Sequence, residues 1–415
     1  MTEQSSLSAT PVLPTRLPIR LIDENGQLVA GVQTAGFDLP DIDMLVSLYR
    51  QMVLARRFDT QVTALTRQGR LATYPSALGQ EACEISAVTA LDSTDWLFPT
   101  YRDTIAVLTR GVTPAEILAS FRGDWHCGFD PYQHRISPQA TPLATQALHA
   151  VGLATAARLK GDATVALTLL GDGATSEGDA HEAFNFASVW HAPVVFVIQN
   201  NQWAISVPFE KQSNARTLAD RAIGYGMPGY FVDGNDVAAM YAVISSAVTN
   251  ARAGHGPTMI EGLTYRMEAH TNSDDPTRYR EKSEEAEWRA LDPIDRLDKY
   301  LVSVGALTGD LRAEITEAAE ALATTTREAM NIEPILDPLE LFDHVYQTDR
   351  PALRQQRQFL SDELASAASL GSVASAAPFR SVASAASLES IAPAVSASVS
   401  ARSFVPAGLS GENRS

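Results

Sequence analysis

Asp172 and Asn201 are the side chains from which a chemistry can first be argued. Asp172 lies inside Gly171-Asp172-Gly173, and Asn201 closes the pair Asn200-Asn201 after the 26 residues 174–199. Mg2+ takes oxygen ligands in a near-octahedral shell, commonly one or two carboxylates together with phosphate oxygens. A carboxylate from Asp172, an amide oxygen from Asn201 and the backbone carbonyl of Trp203 would make half of such a shell. Two diphosphate oxygens and a water would complete it. Gly171 and Gly173 let the backbone approach phosphates, and a helix following them would turn its N-terminus to the anion. Taken singly, GDG is a common turn and Asn-Asn a common loop. GDGATS also approaches G-x-G-x-x-G, but the third glycine is missing. The following apolar run ends in Gln199-Asn200-Asn201 rather than in the acidic residue expected on a ribose hydroxyl, so the dinucleotide reading loses.

These residues need elements that bring them together. VALTLL (165–170) and VVFVIQ (194–199) are apolar runs without a polar break, as buried parallel strands are. Between them, Ala183, Phe184, Ala187 and Trp190 fall on one helical face. The unit is strand, glycine turn, helix, strand, which puts Asp172 and Asn201 at the carboxyl ends of neighbouring strands, where such folds bind ligands. Residues 143–262 alternate helical and strand-like runs: a helix, VALTLL, a helix, VVFVIQ, a loop, and PTMIEGL. The fold class this predicts is α/β, a mainly parallel sheet with helices on both faces. Residues 41–112 read as largely helical, residues 265–283 as a polar loop, and helical segments resume from 283 to 364. Residues 1–37 read as an extended N-terminal arm outside the core, with a hairpin candidate at IRLIDENGQLVAGV. Residues 38–364 form the main domain. Residues 365–415 are almost all Ala, Ser and Val, repeat SVASAA at 372–377 and 381–386, and predict a disordered low-complexity tail.

The chain has 415 residues, and its 32 basic and 49 acidic residues give a net charge of −17. A nucleic-acid surface is built from Lys and Arg, so that function class is disfavoured. Cys83 and Cys127 lack metal-ligand spacing and read as free thiols of a reducing compartment. With no secretory signal and no apolar run of membrane-spanning length, a soluble cytoplasmic protein is expected, without a membrane partner.

GDG and NN at this spacing match the thiamine-diphosphate motif, and the flanks extend the match. LFPTYRD (97–103), TPLATQ (141–146), GDGATSEGDAHEAFNFA (171–187), QNNQWAIS (199–206), VDGNDV (232–237) and HTNSDDPTRYR (270–280) resemble the alpha subunit of the first, decarboxylating component of 2-oxo-acid dehydrogenase complexes. The resemblance runs from about residue 20 to 364. It implies that Tyr101 and Arg102 contact the diphosphate and that Thr141 and Leu143 lie beside the cofactor, Leu143 bracing its bent shape. Thr145 and Gln146 match a monovalent-cation (K+) site seen in some members. Asp172, Asn201 and the Trp203 carbonyl match the Mg2+ ligands, and Gly171, Gly173 and Ala174 the backbone around the phosphates. His270 matches a catalytic histidine aimed at the reacting carbon, and His126 a second active-site histidine of many bacterial members. An imidazole titrating near neutral pH suits proton transfer to a carbonyl or a dithiolane sulfur.

Three departures accompany the match. Gln199 replaces the arginine of the mitochondrial branched-chain type, Trp203 stands where Tyr or Phe is usual, and Thr271 occupies the place of a regulatory phosphoserine. The implied reaction is oxidative decarboxylation of a small 2-oxo acid, with reductive acylation of the lipoyl group on the acyltransferase component. A branched-chain acid such as 3-methyl-2-oxobutanoate is favoured, with pyruvate or acetoin-type dehydrogenases as alternatives. The chain offers one diphosphate-binding sheet and no second α/β half. The resemblance therefore implies a beta subunit, an α2β2 heterotetramer, and a cofactor held between chains.

Overall fold

The computed structural model describes residues 13–371, apart from Trp125, His126, Ala140 and Ile335. His126 and all but the start of the Ala/Ser-rich tail therefore lie outside the described residues. The described chain divides between Asp337 and Pro338 into two compact units.

In the first unit, α1 (Ile42–Arg67) begins at Asp41, whose side chain accepts the Met44 N–H. Its Leu45, Leu48, Met52, Phe58, Val62 and Leu65 are buried as one stripe, each such side chain contributing about 1.5–3 kcal/mol. Next come α2 (Glu81–Thr89), β1 (Trp96–Phe98), α3 (Thr104–Thr109), α4 (Pro114–Arg122) and α5 (Pro131–His134). The central segment is α6 (Thr145–Lys160), β2 (Ala166–Gly171), α7 (Gly178–Val189) and β3 (Val194–Asn200). A short ribbon, β4 (Trp203–Ala204) with β5 (Val207–Pro208), leads to α8 (Arg221–Tyr225), β6 (Gly229–Asp233), α9 (Val237–Arg252) and β7 (Thr258–Leu263). Then α10 (Lys282–Arg289), α11 (Pro293–Ser303) and α12 (Gly309–Ala329) follow. The second unit carries a 3-10 turn at Pro338–Phe342 and α13 (Pro351–Gly371), a helix that continues past residue 364.

The five-stranded sheet has the order β1-β2-β3-β7-β6, and each pairing is parallel. Side chains of successive strand residues point to opposite faces. Leu167, Leu169, Val195, Val197 and Ile260 join the core shared with α1, α2 and α9. Ala166, Leu170, Val194, Phe196, Ile198 and Met259 join the core shared with α6 and α7. Burial on both faces is why VALTLL and VVFVIQ read as unbroken apolar runs.

The region 41–112 is largely helical, as expected, and also holds β1, a three-residue strand whose brevity hides it among helices. Two expectations are corrected. The loop expected between VVFVIQ and PTMIEGL contains α8, β6 and α9. The N-terminal arm is part of the core: Ile19, Leu21 and Ile22 are buried, and Ile19 bridges Val232 in parallel at the sheet edge. Asp236 pins it, accepting the Leu21 and Ile22 N–H groups at 2.7 and 2.8 Å while capping α9. The hairpin candidate is present as a single antiparallel bridge, Ile22 to Leu28.

Candidate active site

A cavity of about 210 Å³ opens at the carboxyl ends of β2 and β3. Tyr101, Arg102, Leu143, Gly171, Asp172, Gly173, Ala174, Asn201, Trp203 and His270 all line it, although more than 160 residues of chain separate the first from the last. Gln80, Thr100, Asp103, Glu177, Gln199, Ala204 and Ile205 complete the wall. Thr141 is exposed and lies outside this lining. Thr145 starts α6, and the Gln146 amide donates to the Leu169 carbonyl at 2.9 Å, tying that helix to β2.

Asp172 follows β2 directly and is buried. Gln212 Nε2 donates to its Oδ2 at 2.9 Å, and burial raises its pKa above the ordinary carboxylate range. A cation beside it would reverse that shift. A Cβ on Gly173 would sit 2.8 Å from the Ala204 Cβ, so the GDG turn and the β4 ribbon can be this close only with glycine there. Gly79, at φ +98, brings the chain so near Tyr265 that a Cβ would lie 2.3 Å from its carbonyl oxygen, and this places Gln80 at the cavity wall. Gln202 and Ile205, flanking Trp203 and Ala204, hold left-handed φ angles of 71° and 56°. For a β-branched residue such as Ile205 that is strained backbone.

One buried guanidinium, Arg102, lies in the wall alongside Asp103, Asp172 and Glu177, and a second, Arg266, bonds to wall carbonyls from behind. Arg102 is buried and uses its guanidinium on neutral partners: the Ser76 carbonyl at 2.9 Å, the His270 carbonyl at 3.2 Å and His270 Nδ1 at 3.1 Å. Arg266, fully buried, donates to the Ile205 carbonyl at 2.7 Å and reaches the Trp203 carbonyl at 3.5 Å. Burial, then the nearby Arg102, pushes the Arg266 pKa down to about 10. Two guanidiniums with carbonyl and imidazole partners create a strong demand for an anion. Among the described residues no cluster of three His, Cys, Asp or Glu could hold a metal. The groups that line the cavity together, one carboxylate, one amide oxygen and one carbonyl beside the buried Arg102 guanidinium, fit hydrated Mg2+ shared with a diphosphate.

His270 departs from an imidazole titrating near neutrality. Burial, followed by Arg102 and Arg266, pushes its pKa down to about 4. Arg102 can only donate, so Nδ1 accepts and the neutral ring carries its proton on Nε2. Asp274 accepts the His270 backbone N–H at 3.1 Å and fixes the loop. Gln80, Gln212 and Arg266 are contacts that sequence reasoning missed. Nothing local in their surroundings marks residues whose partners lie 40 to 121 positions away.

A family profile described as "Dehydrogenase E1 component" matches residues 49–338. The chain belongs to the dehydrogenase E1 component family. It is 46% identical over 348 residues to "3-methyl-2-oxobutanoate dehydrogenase subunit alpha" of Mycobacterium tuberculosis, covering 84% of this chain and 94% of that one. To "Pyruvate dehydrogenase E1 component subunit alpha" of Staphylococcus aureus it is 41% identical, covering 76% and 85% respectively. To the like-named subunit of Acholeplasma laidlawii it is 37% identical, covering 80% and 96%. The chain is thus an E1 alpha subunit of the branched-chain or pyruvate type, an oxidoreductase component acting in oxidative decarboxylation of a 2-oxo acid. Use of thiamine diphosphate and Mg2+ and pairing with a beta subunit are general to this family. No helix among the described residues is long and apolar enough to cross a membrane.

Proposed function

We propose that this subunit, with a beta subunit in an α2β2 heterotetramer, decarboxylates branched-chain 2-oxo acids such as 3-methyl-2-oxobutanoate and acylates the lipoyl domain of an acyltransferase. The convergence of Asp172, Asn201, Trp203, Arg102 and His270 on one strand-end cavity carries this reading. The relative that is 46% identical over 94% of its own length bears a branched-chain name, which favours that substrate over pyruvate.

When bound, thiamine diphosphate supplies the carbanion chemistry of decarboxylation, and the protein supplies binding, orientation and charge. Asp172, Asn201 and the Trp203 carbonyl would hold Mg2+, and Arg102 would hold the phosphates beside Gly173 and Ala174. Leu143, half-exposed at the cavity rim, presents an apolar surface to the ligand. His270 is neutral, with its Nε2 proton available as a hydrogen-bond donor while Arg102 fixes the ring. It would donate toward a developing oxyanion or thiolate. His126 remains a candidate second histidine from the resemblance alone.

The test is co-production with the beta subunit and turnover with a panel of 2-oxo acids. Highest kcat/KM with 3-methyl-2-oxobutanoate supports the branched-chain reading. Preference for pyruvate reassigns the substrate, and turnover by the alpha chain alone refutes the half-site argument.

A further inference from the structure

We propose that Gln80 and Gln199 are positioning residues that hold the Asn201 amide in the orientation a metal needs, an inference that rests on the Mg2+–diphosphate reading of this cavity. Four side chains from three separate parts of the sequence form one line of hydrogen bonds. Asn201 Nδ2 donates to Gln80 Oε1 at 2.7 Å, Gln80 Nε2 to Gln199 Oε1 at 2.9 Å, and Gln199 Nε2 to Asp103 Oδ1 at 2.6 Å. Asn201, Gln80, Gln199 and Asp103 are 5%, 2%, 2% and 0% exposed, so water cannot readily replace a missing link.

The direction of the line decides its use. A side-chain amide turned end for end keeps its shape and exchanges donor for acceptor, so the polarity of such a line must be set at its ends. Both ends here are anchored on backbone. The Trp203 N–H donates to Asn201 Oδ1 at 3.2 Å, which leaves Nδ2 to face Gln80. At the far end the Thr100 N–H donates to Asp103 Oδ2 at 2.5 Å, and the other carboxylate oxygen accepts from Gln199. Donor-to-acceptor order then runs unbroken from Asn201 to Asp103. Turning any one amide between them sets like groups face to face in a buried position.

The consequence falls on the metal. An amide oxygen has a second lone pair for a cation, whereas an amide NH2 has none to offer. The two glutamines therefore act through Asn201, keeping its oxygen on the Trp203 side. Groups that orient metal ligands in this way typically change metal affinity by 10–100-fold when removed.

The experiment uses the full-length chain assembled with its beta subunit. Mg2+ is titrated at fixed thiamine diphosphate, with binding followed by tryptophan fluorescence and the metal-free melting temperature measured alongside. Gln80→Leu and Gln199→Leu should each raise the half-saturating Mg2+ concentration roughly 10–100-fold. Asp103→Asn, of the same shape, places an NH2 against Gln199 and should raise it as well. In an Asn201→Ala background, Gln80→Leu should add less than about twofold, because the residue through which it acts is gone. Unchanged Mg2+ requirement in both leucine variants, or losses that multiply in the double variant, overturns the proposal. Should Gln80→Leu not assemble, Gln199→Leu and Asp103→Asn pose the same question further along the line. Equal Mg2+ requirement in the wild type and Asn201→Ala would instead refute the metal reading itself, and the relay would fall with it.

Discussion

Asp172→Asn separates what the cavity does for ligand binding from what it does to stability. In the metal-free protein the Asp172 carboxylate is buried beside a single side-chain donor, Gln212, and burial raises its pKa. A carboxyl group with a raised folded-state pKa binds more protons folded than unfolded. Its ionisation therefore removes stability as pH rises from the ordinary carboxylate range through the folded pKa, and the loss is complete above it. Asparagine keeps an oxygen for Gln212 and has no charge to bury, so the variant should melt higher than wild type in EDTA at neutral pH. With Mg2+ and thiamine diphosphate the order reverses. Taking one partner from a buried charge pair costs about 3–5 kcal/mol, roughly 10²-fold or more in affinity. At a cofactor concentration of 100 Kd the wild type gains about 2.7 kcal/mol of stability. A variant binding a hundredfold more weakly would gain only about 0.4 kcal/mol under the same conditions. The assay is thermal denaturation of the assembled enzyme with EDTA and with Mg2+–thiamine diphosphate. A full cofactor-induced shift retained by Asp172→Asn would refute the ligand assignment. A lower melting temperature in EDTA would refute the electrostatic argument.

His270, with its pKa pushed down to about 4, should show no imidazole titration between pH 5.5 and 8 by NMR of histidine-labelled, cofactor-free protein. Because its folded pKa lies below the unfolded value, it withdraws stability as pH falls below about 6.5 and fully so below about 4; an inflection near 6.5 would contradict the burial and Arg102 argument. His270→Ala should slow acylation of an added lipoyl domain roughly 10²–10³-fold, the usual cost of losing one hydrogen-bond donor to a developing charge, and affect decarboxylation with an artificial electron acceptor less; equal losses would place the histidine in substrate binding. Gly173→Ala forces a Cβ to 2.8 Å from Ala204, which should cost about 1–3 kcal/mol by denaturant unfolding and weaken cofactor binding by shifting the Trp203 ribbon. Asp236→Ala leaves the buried Leu21 and Ile22 N–H groups unpaired, at about 1–3 kcal/mol each; limited proteolysis should then cut first between residues 13 and 35, and cleavage elsewhere would deny the pinning role.

What could be read in the sequence was what depends on neighbours along the chain. β2 and β3 are visible because continuous apolar runs are what strands buried on both faces require, and β7 because it continues the alternation of helical and strand-like segments. Asp172 and Asn201 were legible for the same reason, since each stands two residues past such a run. The strand β1 is only three residues long, and α9 buries so many small residues that its apolar stripe is weakly marked. The N-terminal segment reads as an arm because its burial depends on Asp236, more than 200 residues away. Gln80, Gln212 and Arg266 reach the cavity only through tertiary contacts, and no spacing rule anticipates them. Gln199 could be singled out only as a departure from a related arginine, because its two hydrogen bonds go to residues 96 and 119 positions off.

Features unfavourable in an ordinary core gather around this one cavity. Asp172 is a buried carboxylate, Arg102 and Arg266 are buried guanidiniums bonded to neutral groups, and His270 is a half-buried imidazole facing a cation. Ala144, Gln202 and Ile205 hold left-handed backbone within one residue of Leu143, Trp203 or Ala204. Buried carboxylates also occur in the core, as at Asp59 and Glu84, but buried charge and left-handed backbone meeting at the ligand side of a parallel sheet are the mark of a functional site. The charges also have a common remedy. A divalent cation would relieve Asp172, and an anion would relieve Arg102 and Arg266, so a metal-bound diphosphate answers both demands at once. Kinship establishes the family, but kinship alone would hold equally for a chain that had lost its chemistry. The unsatisfied charges argue that this chain has kept it, because a scaffold without a ligand would gain stability by replacing them.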